Sequence, residues 1–268
     1  MTTPAAVTCD LHGSTALITL NSPATRNAFT PAIRDGLAAA IAQAKADDGV
    51  RAVVITGSGG CFCAGGDLRG MLAARPGTDG AGWRTRMHGT QRWMAELITL
   101  DKPVIAAVDG AAFGAGFSIA LAADFVLATP AARFCMVFMR IGLVPDCGAF
   151  YLLPRVVGTQ RAKELMLSAR EVGAQEAKEL GITMELLSAD RLLPRALELA
   201  ASFEHASPLA VSMVKRATGH FGELADVLDS EANAQALAFD SRHHSDAVQR
   251  FLDKQPALFQ WPKPLPKE

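Results

Sequence analysis

The sequence predicts an α/β fold that ends in a helix-only region, and three observations lead there. "TALITL", "RAVVITG" and "KPVIAAVDG" are short, nearly continuous apolar runs, two of them ending in glycine, as strands buried on both faces read. Segments with apolar residues at helical spacing stand between and after them. From about Arg191 onward the pattern is helical only. With 268 residues, half of them hydrophobic, the chain can bury one large core with an appendage. The change of character divides it into a core over residues 1–200 and a helical region over 201–268.

The elements follow in chain order. Thr15–Leu20 is the first expected strand, and Asn21, Ser22 and Pro23 form the turn after it. Pro31 to Ala46 is a helix, with proline at the first position, where a missing N–H costs nothing. Val104 to Ala123 is long and apolar enough to suggest a membrane span. Asp109 and the glycines at 110, 114 and 116 break it into two short buried elements around a glycine turn. After Asp124, "FVLAT" is a strand, "GTQRAKELMLS" a helix, and "GAQEAKELG" a shorter helix closed by Gly181. "LLPRALELAASFEHA", "PLAVSMVKRATG" and "ELADVLDSEANAQALAF" are the final helices, and "WPKPLPKE" is a frayed tail.

A net charge of −1 offers no basic surplus to neutralise phosphates, so nucleic acid is not an expected partner. Five cysteines without paired spacing point to reduced thiols and a cytoplasmic location. Cys61 and Cys63 form a C-x-C with no second ligand pair, so no metal is expected. His243 and His244 read as surface residues of a charged helix. "MTTPAAVTCD" has neither the basic nor the apolar stretch of a signal peptide, and no membrane association is expected.

Two glycine-rich turns, "GSGGCFCAGGDL" and "DGAAFGAGFSIALAAD", each follow an expected strand. Neither has the G-x-G-x-x-G spacing or the Gly-Lys-Ser/Thr ending of a phosphate loop. Either turn alone is explained by tight backbone packing. Together they can present two backbone N–H groups from separate strand ends to one oxygen. Such donors, aimed at a developing oxyanion, are each worth about 2.7–4 kcal/mol in acyl chemistry.

"GCFCAGGDL", "KPVIAAVDGAAFGAGFSIALAAD" and "IGLVPDCGAFYLLPRVVG", in this order, resemble the enoyl-CoA hydratase/isomerase (crotonase) superfamily. "NSPATRNAFT" and "RFLDKQPALF" extend the likeness to nearly the whole chain. The resemblance implies a crotonase-like spiral of ββα units with a C-terminal helical trimerisation region. It further implies a homotrimer or a dimer of trimers acting on an acyl-CoA thioester. Coenzyme A is then part of the substrate, and no separate cofactor is implied. By the matched motifs, the backbone N–H groups of Gly66 and Ala115 form the oxyanion hole. Arg26 and Ala28 of "TRNA", with Ala64, Asp67 and Leu68, match the CoA-binding loop, and Lys254 matches a lysine that reaches the CoA phosphates.

Hydratases of that family hold a water between two glutamates, and Ser118 and Phe138 stand at the matching positions. Neither can act as a strong general base. Asp146 matches the site of an essential carboxylate in several family isomerases, and "LVPD-G" resembles the oxepin-CoA-forming isomerases of phenylacetate breakdown and Δ3,Δ2-enoyl-CoA isomerases. Burial among Phe138, Val144 and Phe150 would raise its pKa, and capping of the helix "CGAFYLLPRVV" would be a purely structural use of it. The expected activity is a double-bond shift in an enoyl-CoA thioester, with Asp146 as acid and base. The alternatives are a hydratase using Asp146, a hydrolytic enzyme pairing Asp146 with His88, and a silent acyl-CoA binder.

Overall fold

The computed structural model describes residues 5–74, 80–219, 246, 250 and 253–256. Its main sheet is ordered β1-β2-β3-β4-β6-β9. These strands are β1 (Val7–His12), β2 (Thr15–Leu20), β3 (Ala52–Gly57), β4 (Val104–Val108), β6 (Phe125–Ala128) and β9 (Glu185–Leu186). β1 and β2 form an antiparallel hairpin, and every later neighbour pairs in parallel. A small second sheet joins β5 (Ala111–Phe113), β7 (Arg133–Cys135) and β8 (Glu171–Gly173).

Alternation of side chains across the main sheet explains the continuous apolar runs. Ala16, Ile18 and Leu20, Val53 and Ile55, and Val104, Ala106 and Val108 enter the larger core. The residues between them, Leu17, Ala52, Val54, Ile105 and Ala107, enter a second core on the opposite face. Both faces are covered, so no polar alternation survives in the sequence.

Helix α1 (Pro31–Ala46) buries Ile33, Leu37, Ala40, Ile41 and Ala44, and the Thr30 hydroxyl accepts the Ile33 N–H at 3.3 Å. This satisfies one of the donors that a helix start leaves open. On the second face, α8 (Ala189–Ala201) contributes Leu192, Ala196, Leu199 and Ala200. Arg195 is buried there and bonds Glu185 through two nitrogens at 2.9 and 3.0 Å, with Glu198 at 2.9 Å. Helix α9 (Pro208–Gly219) is tied to the same body by Lys215 to Asp124 and by Arg216 to Asp101. The expected helix "ELADVLDSEANAQALAF" and His243 and His244 lie outside the described residues.

Candidate active site

The site is assembled from the ends of β3 and β4. After β3 the chain turns through residues 58–66 into α2 (Leu68–Ala74). After β4 it passes through β5 and Gly114 into α4 (Ala115–Leu121), a helix whose seven residues are all buried. A parallel bridge joins Cys63 to Ala112, and Phe113 N–H donates to Cys63 O at 2.9 Å. The contact continues into the glycines. A Cβ on Gly65 would lie 3.0 Å from Phe113 O, and one on Gly116 would lie 2.4 Å from Cys63 O. Only residues without side chains let these two backbones approach so closely.

Gly66 and Ala115 each sit one residue from this contact. Among the described residues, no acceptor is bonded to either N–H. The structure thus places the two residues that the resemblance names beside one backbone contact, with both N–H groups lacking an acceptor among the described residues.

The third component arrives on the loop after β7. Phe138, buried in the 3₁₀ turn Val137–Ile141, would meet a Cβ on Gly114 at 3.5 Å. Farther along, the Ser118 hydroxyl on α4 donates to the Asp146 backbone carbonyl at 3.0 Å. Asp146 itself is half-buried, and its Oδ1 is buried with no hydrogen-bond partner. Burial pushes the carboxyl above its ordinary value, while a hydrogen bond with the Cys147 thiol draws it partly back. The Cys147 thiol is raised in turn, by burial first and then by the Asp146 charge.

Two expectations for Asp146 need correction. Helix α5 (Ala149–Val157) starts later than "CGAFYLLPRVV" suggests, its N-cap is Gly148, and no side chain caps it. The Asp146 carboxylate is therefore not a helix cap. Val144 and Phe150 are 67% and 60% exposed, so neither buries it; of the three named residues only Phe138 is buried.

The other acids near the turns are engaged. Asp67 Oδ1 accepts Gly70 N–H at 3.0 Å, which places Asp67 at the start of α2. Asp109 Oδ1 accepts the Thr129 hydroxyl at 2.6 Å. Asp124 Oδ2 accepts Val104 N–H at 2.7 Å and meets Lys215.

Of the residues matched to CoA binding, those around Arg26 and Ala64 lie along one backbone strip. Ala64 N–H donates to Arg26 O at 3.0 Å, Phe29 N–H donates to Gly65 O at 2.7 Å, and a parallel bridge joins Phe29 to Gly66. Arg26 is exposed, Ala28 and Ala64 are half-buried, and Leu68 is exposed beside Asp67. Lys254 is exposed, and among the described residues no bond ties it to this strip. His88 is exposed on α3 (Gly80–Ile98), without a bond to Asp146.

Sequence reasoning passed over Asn27. It is wholly buried, accepts Ser22 N–H at 2.7 Å, and donates to Ser58 O and Cys61 O at 3.0 and 2.6 Å. Its side chain pins the Arg26 loop to the first glycine turn. The one available signal was an asparagine in the "SPATRNA" turn, and its φ of 53° is one that asparagine tolerates. Cys61 and Cys63 are buried thiols, and burial pushes Cys63 up to about 12. Among the described residues no group of His, Cys, Asp and Glu could hold a metal, and no helix is long and apolar enough to cross a membrane.

Two backbone N–H groups without an acceptor at adjoining strand ends, beside the segment of Arg26 to Phe29, form an arrangement that an acyl-thioester enzyme can use. Comparison with known proteins agrees. The enoyl-CoA hydratase/isomerase family model matches residues 10–262. The chain is 35% identical over 246 residues to 1,2-epoxyphenylacetyl-CoA isomerase of Escherichia coli, covering 90% of this chain and 93% of the relative. It is 34% identical over 246 residues to 2,3-dehydroadipyl-CoA hydratase of the same organism, covering 89% and 92%. The crystal structure of an enoyl-CoA hydratase/isomerase from Cupriavidus metallidurans superposes with a TM-score of 0.93 at 38% identity, covering 99% and 100%. The chain belongs to the enoyl-CoA hydratase/isomerase family, an enzyme of the crotonase superfamily with its fold.

Proposed function

We propose that the protein shifts a carbon–carbon double bond within an enoyl-CoA thioester. The observation that carries this reading is Asp146: a carboxylate with a buried, unpartnered oxygen, on a loop bonded to the helix that Ala115 opens. In a 3-enoyl thioester, Asp146 takes a proton from C2. The C–H electron pair moves to the thioester oxygen, and the resulting dienolate is held by the N–H groups of Gly66 and Ala115. Asp146 then returns its proton to C4, and the double bond lies between C2 and C3. No water is consumed, so one acid suffices.

Phe138 supports an isomerase over a hydratase, because a buried phenyl ring against Gly114 offers no hydrogen bond to an attacking water. Exposed Leu143, Val144 and Phe150 beside Asp146 supply apolar surface for an acyl chain. Arg26, Ala28, Ala64, Asp67 and Leu68 receive the CoA portion, and Lys254 reaches its phosphates. The working form is a homotrimer or a dimer of trimers, which solution scattering at micromolar concentration tests. The direct test of the reaction is NMR of a 3-enoyl-CoA incubated with the protein in deuterated water. Conversion to the 2-enoyl isomer is expected, and an unchanged spectrum would leave the protein a silent binder.

A further inference from the structure

One turn of helix separates Ala115 from Ser118, and Ser118 is wholly buried. Its hydroxyl has a single hydrogen and two acceptors in reach: Asp146 O at 3.0 Å and Gly114 O at 3.4 Å. The shorter contact is the stronger bond. Asp146 O also accepts Ala149 N–H at 3.0 Å, so two donors fix the peptide plane that follows Asp146. The next residue, Cys147, has φ 52°, a strained conformation for a non-glycine residue that persists only where surroundings enforce it. Oδ1 of Asp146 has no partner, and the thiol that draws on this carboxyl belongs to Cys147, the next residue of the same loop, so the placement of the carboxylate depends on that loop's backbone.

We infer that Ser118 is a positioning residue: its hydroxyl clamps the Asp146 loop to the helix carrying the Ala115 N–H and so sets the separation between acid and oxyanion donor. The inference rests on the reading of Asp146 as the acid and base. It gives a role to a residue standing where the family's hydratases have a glutamate, and that role needs no proton transfer by Ser118. The clamp acts on geometry, and a displacement of about 1 Å at a reacting group can cost about a hundredfold in rate.

The test compares wild type, Ser118→Ala and Asp146→Asn for kcat on a 3-enoyl-CoA, for calorimetric affinity toward a saturated acyl-CoA, and for melting temperature. Ser118→Ala is expected to lose about 10- to 100-fold in kcat with affinity held within about threefold. A role confined to stability would lower the melting temperature and leave kcat of the folded protein alone. Should Ser118→Ala not fold, Ser118→Cys replaces it, and its weaker donor is expected to lower kcat about three- to tenfold. If Asp146→Asn is inactive while the Ser118 variant keeps kcat within about twofold, the clamp is refuted and the acid survives. Parallel loss of kcat and affinity also refutes the clamp. An active Asp146→Asn removes the acid, and the clamp with it.

Discussion

Replacing Gly116 with alanine tests whether the contact between the two glycine turns builds the oxyanion hole. Helix propensity alone predicts a gain, smaller at the second position of α4 than the roughly 1 kcal/mol by which alanine is favoured over glycine in a helix interior. Packing predicts the opposite. The new Cβ would stand 2.4 Å from Cys63 O, 2.7 Å from Cys63 Cβ and 3.1 Å from Cys63 C. Backbone cannot swing aside as a flexible side chain would. The turns must part by about 0.6 Å to bring the closest contact to 3.0 Å, and by about 1 Å to reach ordinary contact near 3.4 Å. A donor bond of about 2.9 Å stretched by that amount is nearly lost. One oxyanion donor is worth about 2.7–4 kcal/mol, so kcat should fall about 100- to 1,000-fold. Overpacking should cost a further 1–3 kcal/mol of stability, roughly, without unfolding the chain. Steady-state kinetics on a 3-enoyl-CoA with a parallel thermal melt measures both. A folded Gly116→Ala protein retaining kcat within about threefold would refute the assignment of the hole to these turns.

Two further predictions concern the turns and the second chemistry. Asn27→Ala leaves Ser22 N–H, Ser58 O and Cys61 O without their side-chain partner, which should cost about 2–4 kcal/mol in urea denaturation and weaken CoA-thioester binding. Unchanged stability would show that water replaces the side chain. Hydration of crotonyl-CoA should be slow or absent. Introducing Ser118→Glu with Phe138→Glu should not create it, because Ser118 is wholly buried and its hydroxyl holds the Asp146 carbonyl. Fast hydration by the unmodified protein would show that these two positions do not decide the reaction.

Much of the frame was legible in the sequence, and what was not has physical reasons. Thr15–Leu20 and Pro31–Ala46 stand in the structure with the bounds their patterns indicate. β1 escaped because an edge strand with Asp10, Leu11 and His12 exposed has no apolar alternation to read. β5, β7 and β8 are three residues each, too short for any period. α3 begins in the stretch "GAGWRTRMHG", whose glycines and arginines hide the apolar spacing of Trp93, Met94 and Leu97 farther along. At the site, both glycine turns were visible because a missing Cβ is written in the residue type. Their mutual contact, Cys63 against Gly116, spans 53 positions and carries no local mark. Helix capping stood as the structural alternative for Asp146 because the residue precedes a helical pattern. Gly148, at φ 79°, ends the loop two residues later and takes that position instead.

Asp146→Asn tests the central claim most directly, through turnover and stability measured on the same protein. Asparagine keeps the size but cannot take a proton from carbon, so isomerisation should fall about 100- to 10,000-fold with acyl-CoA affinity nearly unchanged. In the wild type, the acid limb of kcat/KM should lie above the ordinary aspartate value of about 3.9, because burial raises this carboxyl. A raised folded-state pKa means that the native state binds the proton more tightly than the unfolded chain. Holding Asp146 ionised therefore costs stability at neutral pH, and that cost is relieved as pH falls through the raised value. Asp146→Asn should consequently melt at or above the wild-type temperature at pH 7, with the difference shrinking toward acid. An Asp146→Asn protein that isomerises at the wild-type rate and melts lower would contradict the account: the carboxylate would then serve the fold and not the reaction.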